Sequence, residues 1–277
     1  AAAGALVIVP ARDGEKATRA LGALRNVVVE SLDLIDPDSV DAFAERFLAV
    51  GRPLHILVNN AGIMAIPLTR DRRGYEAQLA TNHLGHFQLT ARLWPALRRA
   101  GGARVVALSS IGHRRAAFDF DDPNFERREY DPLLAYCQSK TANALFAVAL
   151  DALGEPHGVR AFSVHPGGVV TDLVRHLSTE EVRDRGFIDE EGRPIIDPEQ
   201  NKKTAEQGAA TSVWCAVSPQ LAGRGGVYCE NCEIARAVDA DSTELFGVRP
   251  WAIDREAADR LWRLSEQMTG VATVAPH

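Results

Sequence analysis

The sequence predicts an α/β protein with a doubly wound parallel sheet, folded as a single domain. Two observations carry this prediction. Apolar runs rich in Val, Ile and Leu alternate with helix-length segments, and no composition break or internal repeat divides the 277 residues. Each apolar run is continuous rather than alternating in polarity, which is typical of parallel strands that are buried on both faces.

The strands are predicted from six apolar runs, and the helices from segments between them. The predicted strands are residues 5–10, 26–34, 53–62, 103–110, 159–167 and 225–230. The predicted helices are residues 37–49, 72–99 (as one segment or two), 133–153, 202–217 and 254–268. Segment 172–200 is irregular and rich in charges, with Gly and Pro, so we expect it to form a flap over the substrate.

Composition and charge exclude several classes of function. The 31 basic and 37 acidic side chains leave a net charge of −6, so nothing favours binding to nucleic acid or to an anionic membrane. Four cysteines do not make a disulfide framework in a chain of this size, which favours a reducing compartment. No apolar run reaches 18 residues, so no membrane-spanning helix is predicted within these residues. These observations predict a cytoplasmic protein.

Chemistry is first indicated by Tyr136 and Lys140 in the run AYCQSK. Their i, i+4 spacing places both side chains on one face of a helix. A phenol with an ordinary pKa near 10 is a poor base at neutral pH, and a nearby ammonium lowers that pKa. Reaching a pKa of about 7 takes roughly 4 kcal/mol of differential stabilisation, which requires a partly desolvated pocket. Taken alone, the pair also fits a solvated helix face.

Polar residues at the ends of other predicted elements accompany this pair. They are Asn82 in TNHLGHF, Ser109 and Ser110 after ARVVAL, the NNAG turn of Asn59, Asn60, Ala61 and Gly62, and Pro166, Gly167 and Thr171 after the fifth predicted strand. In this order they resemble the short-chain dehydrogenase/reductase family, which is marked by an NNAG turn, an Asn–Ser–Tyr–Lys tetrad with YxxxK, and a PG turn followed by Thr. The resemblance covers residues 5–270 and implies a Rossmann-like fold.

One branch of this family is more similar to the chain than the others. The runs TNHLGHFQLT and LAYCQSKTANALF look like those of the retinol dehydrogenase, WW-domain oxidoreductase and protochlorophyllide reductase-like group. The separation of 26 positions from Ser110 to Tyr136 is also similar to this branch. The branch handles retinoids, steroids and similar molecules, which implies an apolar substrate.

The resemblance implies a role for each member of the tetrad. Tyr136 would be the general acid/base at the substrate oxygen, and Lys140 would lower its pKa and hold the nicotinamide ribose. Ser110, rather than Ser109, would polarise the substrate carbonyl, and Asn82 would hold a water that links Lys140 to solvent. The implied function is an NADP(H)-dependent oxidoreductase that interconverts an alcohol and a carbonyl on a small molecule.

The choice of cofactor is predicted from the residue that follows the first predicted strand. Arg12 lies where family members that use NADP carry an arginine for the 2′-phosphate, although the adjacent Asp13 leaves NAD as an alternative. The remaining implied cofactor contacts, besides Tyr136 and Lys140, are Asp33 and Leu34 at the adenine, Asn60, Ala61 and Gly62 at the adenosine ribose, Pro166 and Gly167 in the PG turn, and Val169 and Thr171 at the carboxamide and phosphates.

The sequence departs from the family at its beginning. The glycine-rich turn Thr-Gly-x3-Gly-x-Gly is missing, and Gly4 and Gly14 lack its spacing. We therefore expect residues 1–277 to be a single domain that lacks its first βα unit, with a gap in the sheet, as a fragment of a longer protein would have. This departure leaves open a non-catalytic nucleotide-binding or interaction protein of the same fold. An epimerase or dehydratase ranks third, because the C-terminal segment is short.

Several weaker patterns leave alternatives open. His83 and His86 form an HxxH pair without a suitably spaced third ligand, so we predict no metal site. Cys229 and Cys232 form a CxxC of structural cysteines, with a labile disulfide as the alternative. His113 is predicted at the surface, with a substrate contact as the alternative. The acidic residues predicted in a solvated loop are Asp119, Asp121 and Asp122.

The helices predicted at 72–99 and 133–153 have wide apolar surfaces. One side must pack on the sheet, and the other is the surface that the family uses for dimers and tetramers. We therefore expect a homodimer or homotetramer, with complete burial inside one chain as the alternative. The apolar residues behind this expectation include Leu145, Phe146, Val148 and Leu150.

Overall fold

The computed structural model describes residues 1–272, so residues 273–277 of the predicted domain lie outside the described part. Strands and helices alternate along it. The strands are β1 (Val7–Ala11), β2 (Val27–Ser31), β3 (Ile56–Asn59), β4 (Ala103–Leu108), β5 (Val159–His165), β6 (Val227–Glu230) and β7 (Glu233–Ile234). The α-helices are α1 (Gly14–Leu21), α2 (Pro37–Ala49), α3 (Ala77–Leu79), α4 (Gly85–Arg99), α5 (Pro132–Gly154), α6 (Thr179–Asp184), α7 (Ala205–Val217) and α8 (Arg255–Thr269).

The larger sheet contains five strands in the order β3, β4, β5, β6 and β7. Every pair is parallel except β6 and β7. In the centre, β4 pairs with β5 so that Val106 lies opposite Phe162, and both side chains are buried against α7. Helices α4 and α5 cover the other face of these strands. Burial on both faces explains why the strand sequences are continuously apolar. The predicted parallel α/β architecture is confirmed.

The two strands β1 and β2 form a separate parallel sheet, and within residues 1–272 neither of them pairs with β3. Ile8 of β1 and Leu57 of β3 nevertheless pack against one apolar cluster, which residues of α2 and α4 dominate. The two sheets therefore lie over the same pair of helices, with a break where the sequence analysis expects a gap. Ile56 and Val58, on the face of β3 opposite Leu57, remain 38% and 42% exposed, so this part of the sheet is covered on one face.

The largest apolar cluster lies between the five-stranded sheet and helices α4, α5 and α8. Trp262 of α8 stacks on Phe146 at a ring-centroid distance of 5.8 Å and meets Phe87 edge-on at 4.9 Å. Helix α8 of the same chain thus covers the side of α5 to which the oligomer interface is assigned, and the expected homodimer or homotetramer stays a prediction. The residues assigned to that interface are all buried or half-buried: Leu145, Phe146, Val148 and Leu150.

Helices α1 and α6 and strand β7 are not predicted from the sequence. Helix α1 has no buried residue and depends on a local cap, in which the Asp13 carboxylate accepts a 2.9 Å hydrogen bond from the Lys16 N–H. Helix α6 begins with a capping box of Ser178 and Glu181, inside the segment expected to be irregular. Without a broad buried face, neither helix has the apolar periodicity by which the longer helices are predicted.

The weaker histidine and cysteine patterns have local structural explanations. Buried His83 places its Nε2 2.7 Å from the Ser265 hydroxyl, and buried His86 places its Nδ1 2.9 Å from the Asn82 carbonyl. Cys229 and Cys232 are both free thiols, the first buried and the second half-buried. Within residues 1–272 no group of three or more His, Cys, Asp or Glu side chains is placed to hold a metal ion. Over the same range, no helix has both the length and the apolar character needed to cross a membrane.

At Gly85, helix α4 passes very close to the chain that follows β2. A Cβ at this position would lie 2.3 Å from the Leu34 carbonyl oxygen. We expect Gly85→Ala to lower the free energy of unfolding by about 2 kcal/mol through overpacking against a rigid backbone. Urea-induced unfolding measures the change. Gly102→Ala is the control, since its Cβ would meet nothing within 4 Å. Equal stability of the two variants would contradict this account of the contact.

Candidate active site

A cleft of about 720 Å³ lies at the carboxyl ends of β3, β4 and β5. Because these strands are parallel, the residues that follow them meet at one edge of the sheet. This is where the sequence analysis places the site. The predicted site residues that line the cleft are Asn60, Ala61, Gly62, Ser110, Tyr136, Lys140, Pro166, Gly167, Val169 and Thr171.

Tyr136 and Lys140 project from the first half of α5, which begins at Pro132. Asp131 caps this helix by accepting hydrogen bonds from the N–H groups of Leu133 and Leu134. Both site residues are buried although they line the cleft. The Lys140 Nζ lies 5.6 Å from the centre of the Tyr136 ring, as the i, i+4 spacing predicts.

Burial shifts the pKa values of these two groups in opposite directions. It raises the pKa of Tyr136 to about 12, although a hydrogen bond with Ser110 opposes the shift, and it lowers the pKa of Lys140 to about 8. The sequence analysis expects Lys140 to lower the pKa of Tyr136. Loss of solvation is the largest influence on the Tyr136 pKa in the protein without ligand, and the expected effect of Lys140 stays a prediction.

Ser110 and Ser109 end β4 and have different partners. The Ser109 hydroxyl is buried and donates a 2.8 Å hydrogen bond to the Lys140 carbonyl. The Ser110 hydroxyl accepts a 3.1 Å hydrogen bond from the Gly112 N–H, so its own proton is available to the neighbouring Tyr136 oxygen or to a ligand. That Ser110, rather than Ser109, acts on the substrate stays a prediction.

Asn82 lies in a π-helical turn, Ala80–Leu84, which divides the helix predicted over residues 72–99. Its side-chain oxygen accepts from the Ile63 N–H at 2.9 Å, and its Nδ2 donates to the Ile63 carbonyl at 3.0 Å and to Ser139 at 2.9 Å. Asn82 therefore holds the chain that follows the NNAG turn against α5. Its expected bond to a water linked to Lys140 stays a prediction.

Three of the predicted cofactor residues lie outside this cleft. Arg12 and the pair Asp33 and Leu34 follow β1 and β2, so they belong to the two-stranded sheet. Arg12 is exposed, and Leu34 is buried under α4. The Asp33 carboxylate accepts a 3.3 Å hydrogen bond from the Ile35 N–H.

Two polar loop residues that are predicted to be exposed are buried instead. His113 is 1% exposed rather than at the surface, because it bonds to Ser110 and Tyr228. Asp122 is also buried rather than solvated, since its carboxylate accepts hydrogen bonds from three successive backbone N–H groups, those of residues 126–128. Asp119 and Asp121 remain half-buried and exposed, respectively.

Comparison with known proteins decides the family. The family model described as short chain dehydrogenase matches residues 1–121. A probable oxidoreductase of Streptomyces antibioticus is 46% identical over 269 residues, which cover 95% of this chain and 88% of that relative. The chain belongs to the short-chain dehydrogenase/reductase family. It is accordingly an NAD(P)-dependent oxidoreductase.

Two further likenesses identify the branch and the fold of this dehydrogenase. Retinol dehydrogenase 12 of Homo sapiens is 38% identical over 277 residues, which cover 98% of this chain and 80% of the relative. The crystal structure of an uncharacterized protein from Mycobacterium paratuberculosis superposes with a TM-score of 0.73 at 31% identity, covering 98% of this chain and 87% of that chain. The predicted retinol dehydrogenase-like branch and Rossmann-like fold are confirmed.

The cleft of the dehydrogenase also contains residues that the sequence analysis misses. Small side chains of α7 form one wall, and Gly208 allows close packing because a Cβ there would lie 2.6 Å from Val169. The signal was a run of small residues at helical spacing. These α7 residues are Ala205, Gly208, Ala209, Ser212 and Ala216.

The beginning of segment 172–200 lies at the mouth of the cleft. Asp172, Leu173 and Arg175 are among the lining residues. The Asp172 carboxylate forms an exposed ion pair with Lys16 of α1. The segment expected to form a flap therefore lines the cleft and also contacts helix α1.

Burial of the Lys140 ammonium makes the stability of the folded chain depend on pH. A lysine whose pKa falls from 10.5 to about 8 on folding destabilises the native state at pH 7, because the unfolded chain binds the proton more tightly. We expect Lys140→Met to raise the free energy of unfolding at pH 7 by about 2 kcal/mol, after the lost hydrogen bond to Leu108 is subtracted. The gain should shrink as the pH rises from 8 to 10.5, since wild type becomes more stable there.

Urea unfolding at several pH values measures this difference. Lys16→Met provides the baseline for removing an exposed lysine from the same chain. A gain that stays constant between pH 8 and 10.5 would show that burial does not shift the Lys140 pKa as described.

Proposed function

We propose that this dehydrogenase transfers a hydride between NADP(H) and the alcohol or carbonyl carbon of an apolar small molecule, with Tyr136 exchanging the proton at the substrate oxygen. The observation that carries the proposal is the convergence of Ser110, Tyr136 and Lys140 on one cleft. Two hydroxyl donors there can approach one substrate oxygen as it gains charge. Val169 and Leu173 line the same cleft, which favours an apolar substrate.

The donors in the cleft suit a nicotinamide cofactor, which supplies or accepts the hydride when bound. Lys140 has three N–H donors, and within residues 1–272 one of them is used, by the Leu108 carbonyl at 3.0 Å. The other two can hold ribose hydroxyls. The Thr171 hydroxyl accepts from the Leu173 N–H at 3.2 Å, so its proton can be donated to a phosphate oxygen.

Tyr136 is suited to give a proton to the substrate oxygen when a carbonyl is reduced. With its pKa raised to about 12, Tyr136 is a neutral phenol at pH 7 and holds the proton that a reduced carbonyl oxygen requires. In the opposite direction Tyr136 must first lose this proton. Lys140 beside the ring then stabilises the phenolate.

Arg12 supports NADP rather than NAD as the cofactor. Its guanidinium is exposed after β1, and no other residue of the described chain forms a hydrogen bond or ion pair with it. The charged fork of an arginine matches a 2′-phosphate. The neighbouring Asp13, which leaves NAD as the alternative, uses its carboxylate to cap α1.

Tyr136→Phe tests the proposed acid. We expect wild type to oxidise NADPH in the presence of decanal or all-trans-retinal, the second chosen because a retinol dehydrogenase is a relative. The variant should lose kcat by about 10³-fold, because a positioned acid contributes roughly 10²–10⁴. Absorbance at 340 nm measures turnover. Tyr75→Phe, which removes a phenol oxygen outside the cleft, should keep the wild-type kcat. A wild type that binds NADPH without reducing any aldehyde or ketone would favour a non-catalytic nucleotide-binding protein instead.

Arg12→Ala tests the choice of cofactor. We expect the KM for NADPH to rise by about tenfold, because a charge-assisted contact to the 2′-phosphate is lost, while the KM for NADH changes little. Arg25→Ala, which removes another exposed arginine before β2, is the matched control. Equal changes in the two KM values would mean that Arg12 does not read the 2′-phosphate.

A further inference from the structure

His113 is a buried polar residue beside the site to which the tetrad assigns no role. It lies in the 3-10 turn Ile111–Arg114, directly after Ser110. Its Nδ1 lies 2.7 Å from the Ser110 carbonyl oxygen and 3.0 Å from the Tyr228 hydroxyl. Its Nε2 lies 3.2 Å from the backbone N–H of Arg249. Both ring nitrogens are therefore engaged.

These partners determine the protonation of the ring. A backbone N–H can only donate, so Nε2 of His113 must carry no proton. A carbonyl oxygen can only accept, so Nδ1 must carry the proton that it shares with Ser110. The neutral Nδ1–H tautomer is the state that satisfies both contacts. Burial favours the same neutral form by lowering the pKa of His113 to about 4.

The His113 ring holds Ser110, the residue that is expected to face the substrate, in place. The Ser110 carbonyl accepts from His113, and the buried Tyr228 hydroxyl donates to the same oxygen at 3.2 Å. The Gly112 N–H donates to the Ser110 hydroxyl oxygen. Ser110 is thus held at both its backbone and its side chain, and the direction of its O–H bond is restricted.

We propose that His113 is a positioning residue of the dehydrogenase, whose Nδ1–H donor holds Ser110 so that its hydroxyl points at the substrate oxygen. This inference rests on the function proposed above. His113 also connects the site to a distant segment, since its carbonyl accepts a 2.8 Å hydrogen bond from the Trp251 ring and its Nε2 accepts from Arg249. The chain around residues 249–251 therefore supports Ser110 without reaching the substrate.

Two conservative substitutions separate positioning from packing. His113→Asn keeps an N–H donor near the Nδ1 position, whereas His113→Gln keeps a polar atom near the Nε2 position and loses the donor to Ser110. With NADPH and decanal, we expect His113→Gln to lower kcat by about tenfold and His113→Asn by less than about threefold. The KM for NADPH should not change. Equal losses in the two variants would overturn the proposal, because packing alone does not distinguish the two ring positions.

A double substitution tests whether His113 acts through Ser110. We expect His113→Gln to lower kcat by less than about twofold when Ser110 is already alanine, because there is no hydroxyl left to orient. A loss that persists at tenfold on the Ser110→Ala background would overturn the proposal. His83→Asn is the control for a buried histidine elsewhere in the core, and should lower the Tm without changing kcat. A wild type that binds NADPH without reducing any aldehyde or ketone contradicts the proposed function itself, and with it the positioning role of His113.

Histidine-selective ¹⁵N NMR of the wild-type chain tests the tautomer without any turnover. We expect a protonated Nδ1 and an unprotonated Nε2 for His113 at pH 7, with the signal assigned by its loss in His113→Gln. A proton on Nε2, or on both nitrogens, would overturn the proposal even if the enzyme is active.

Discussion

The hydrogen bond from the buried Lys140 ammonium to the Leu108 carbonyl is the interaction on which the rest of the site depends. Leu108 is the last residue of β4, so the bond fixes α5 against the carboxyl end of a central strand. Asn143 donates to the same carbonyl, and Ser109 donates back to the Lys140 carbonyl. Tyr136 lies one turn earlier on α5, so these three bonds also set its place in the cleft.

Burial shifts the pKa values of the site residues, and it also lowers the stability of the folded chain. Loss of solvation raises the pKa of Tyr136 and lowers that of Lys140, because it disfavours the charged form of each group. Apolar packing on the outer side of α5 offsets this cost, chiefly where Trp262 of α8 stacks on Phe146. A helix outside the cleft therefore helps to compensate for the burial of these two groups.

Local sequence patterns predict the helices and strands that carry the site. They do not predict which residues become buried by segments far away in the sequence. Helix α2 begins at Pro37 and ends at Ala49 as predicted, because a proline at the start and an amphipathic face are visible in thirteen consecutive residues. His113 looks like a surface loop residue in the sequence because its partners Tyr228 and Arg249 lie 115 and 136 positions later. The cover of α5 by α8 escapes for the same reason, since apolar periodicity shows that a face is buried without showing which helix buries it.

The proposed cofactor site is shared between the two sheets of the fold. Arg12 follows β1 of the two-stranded sheet, whereas Lys140 and Thr171 lie at the edge of the five-stranded sheet. The cluster between α2 and α4 holds both sheets, and the Lys16–Asp172 ion pair joins α1 to the mouth of the cleft. A ligand bound at both Arg12 and Lys140 would stabilise the placement of the sheets as well as occupy the cleft. Such a ligand would link cofactor binding to the stability of the two-stranded sheet, whose strands β1 and β2 do not pair with β3.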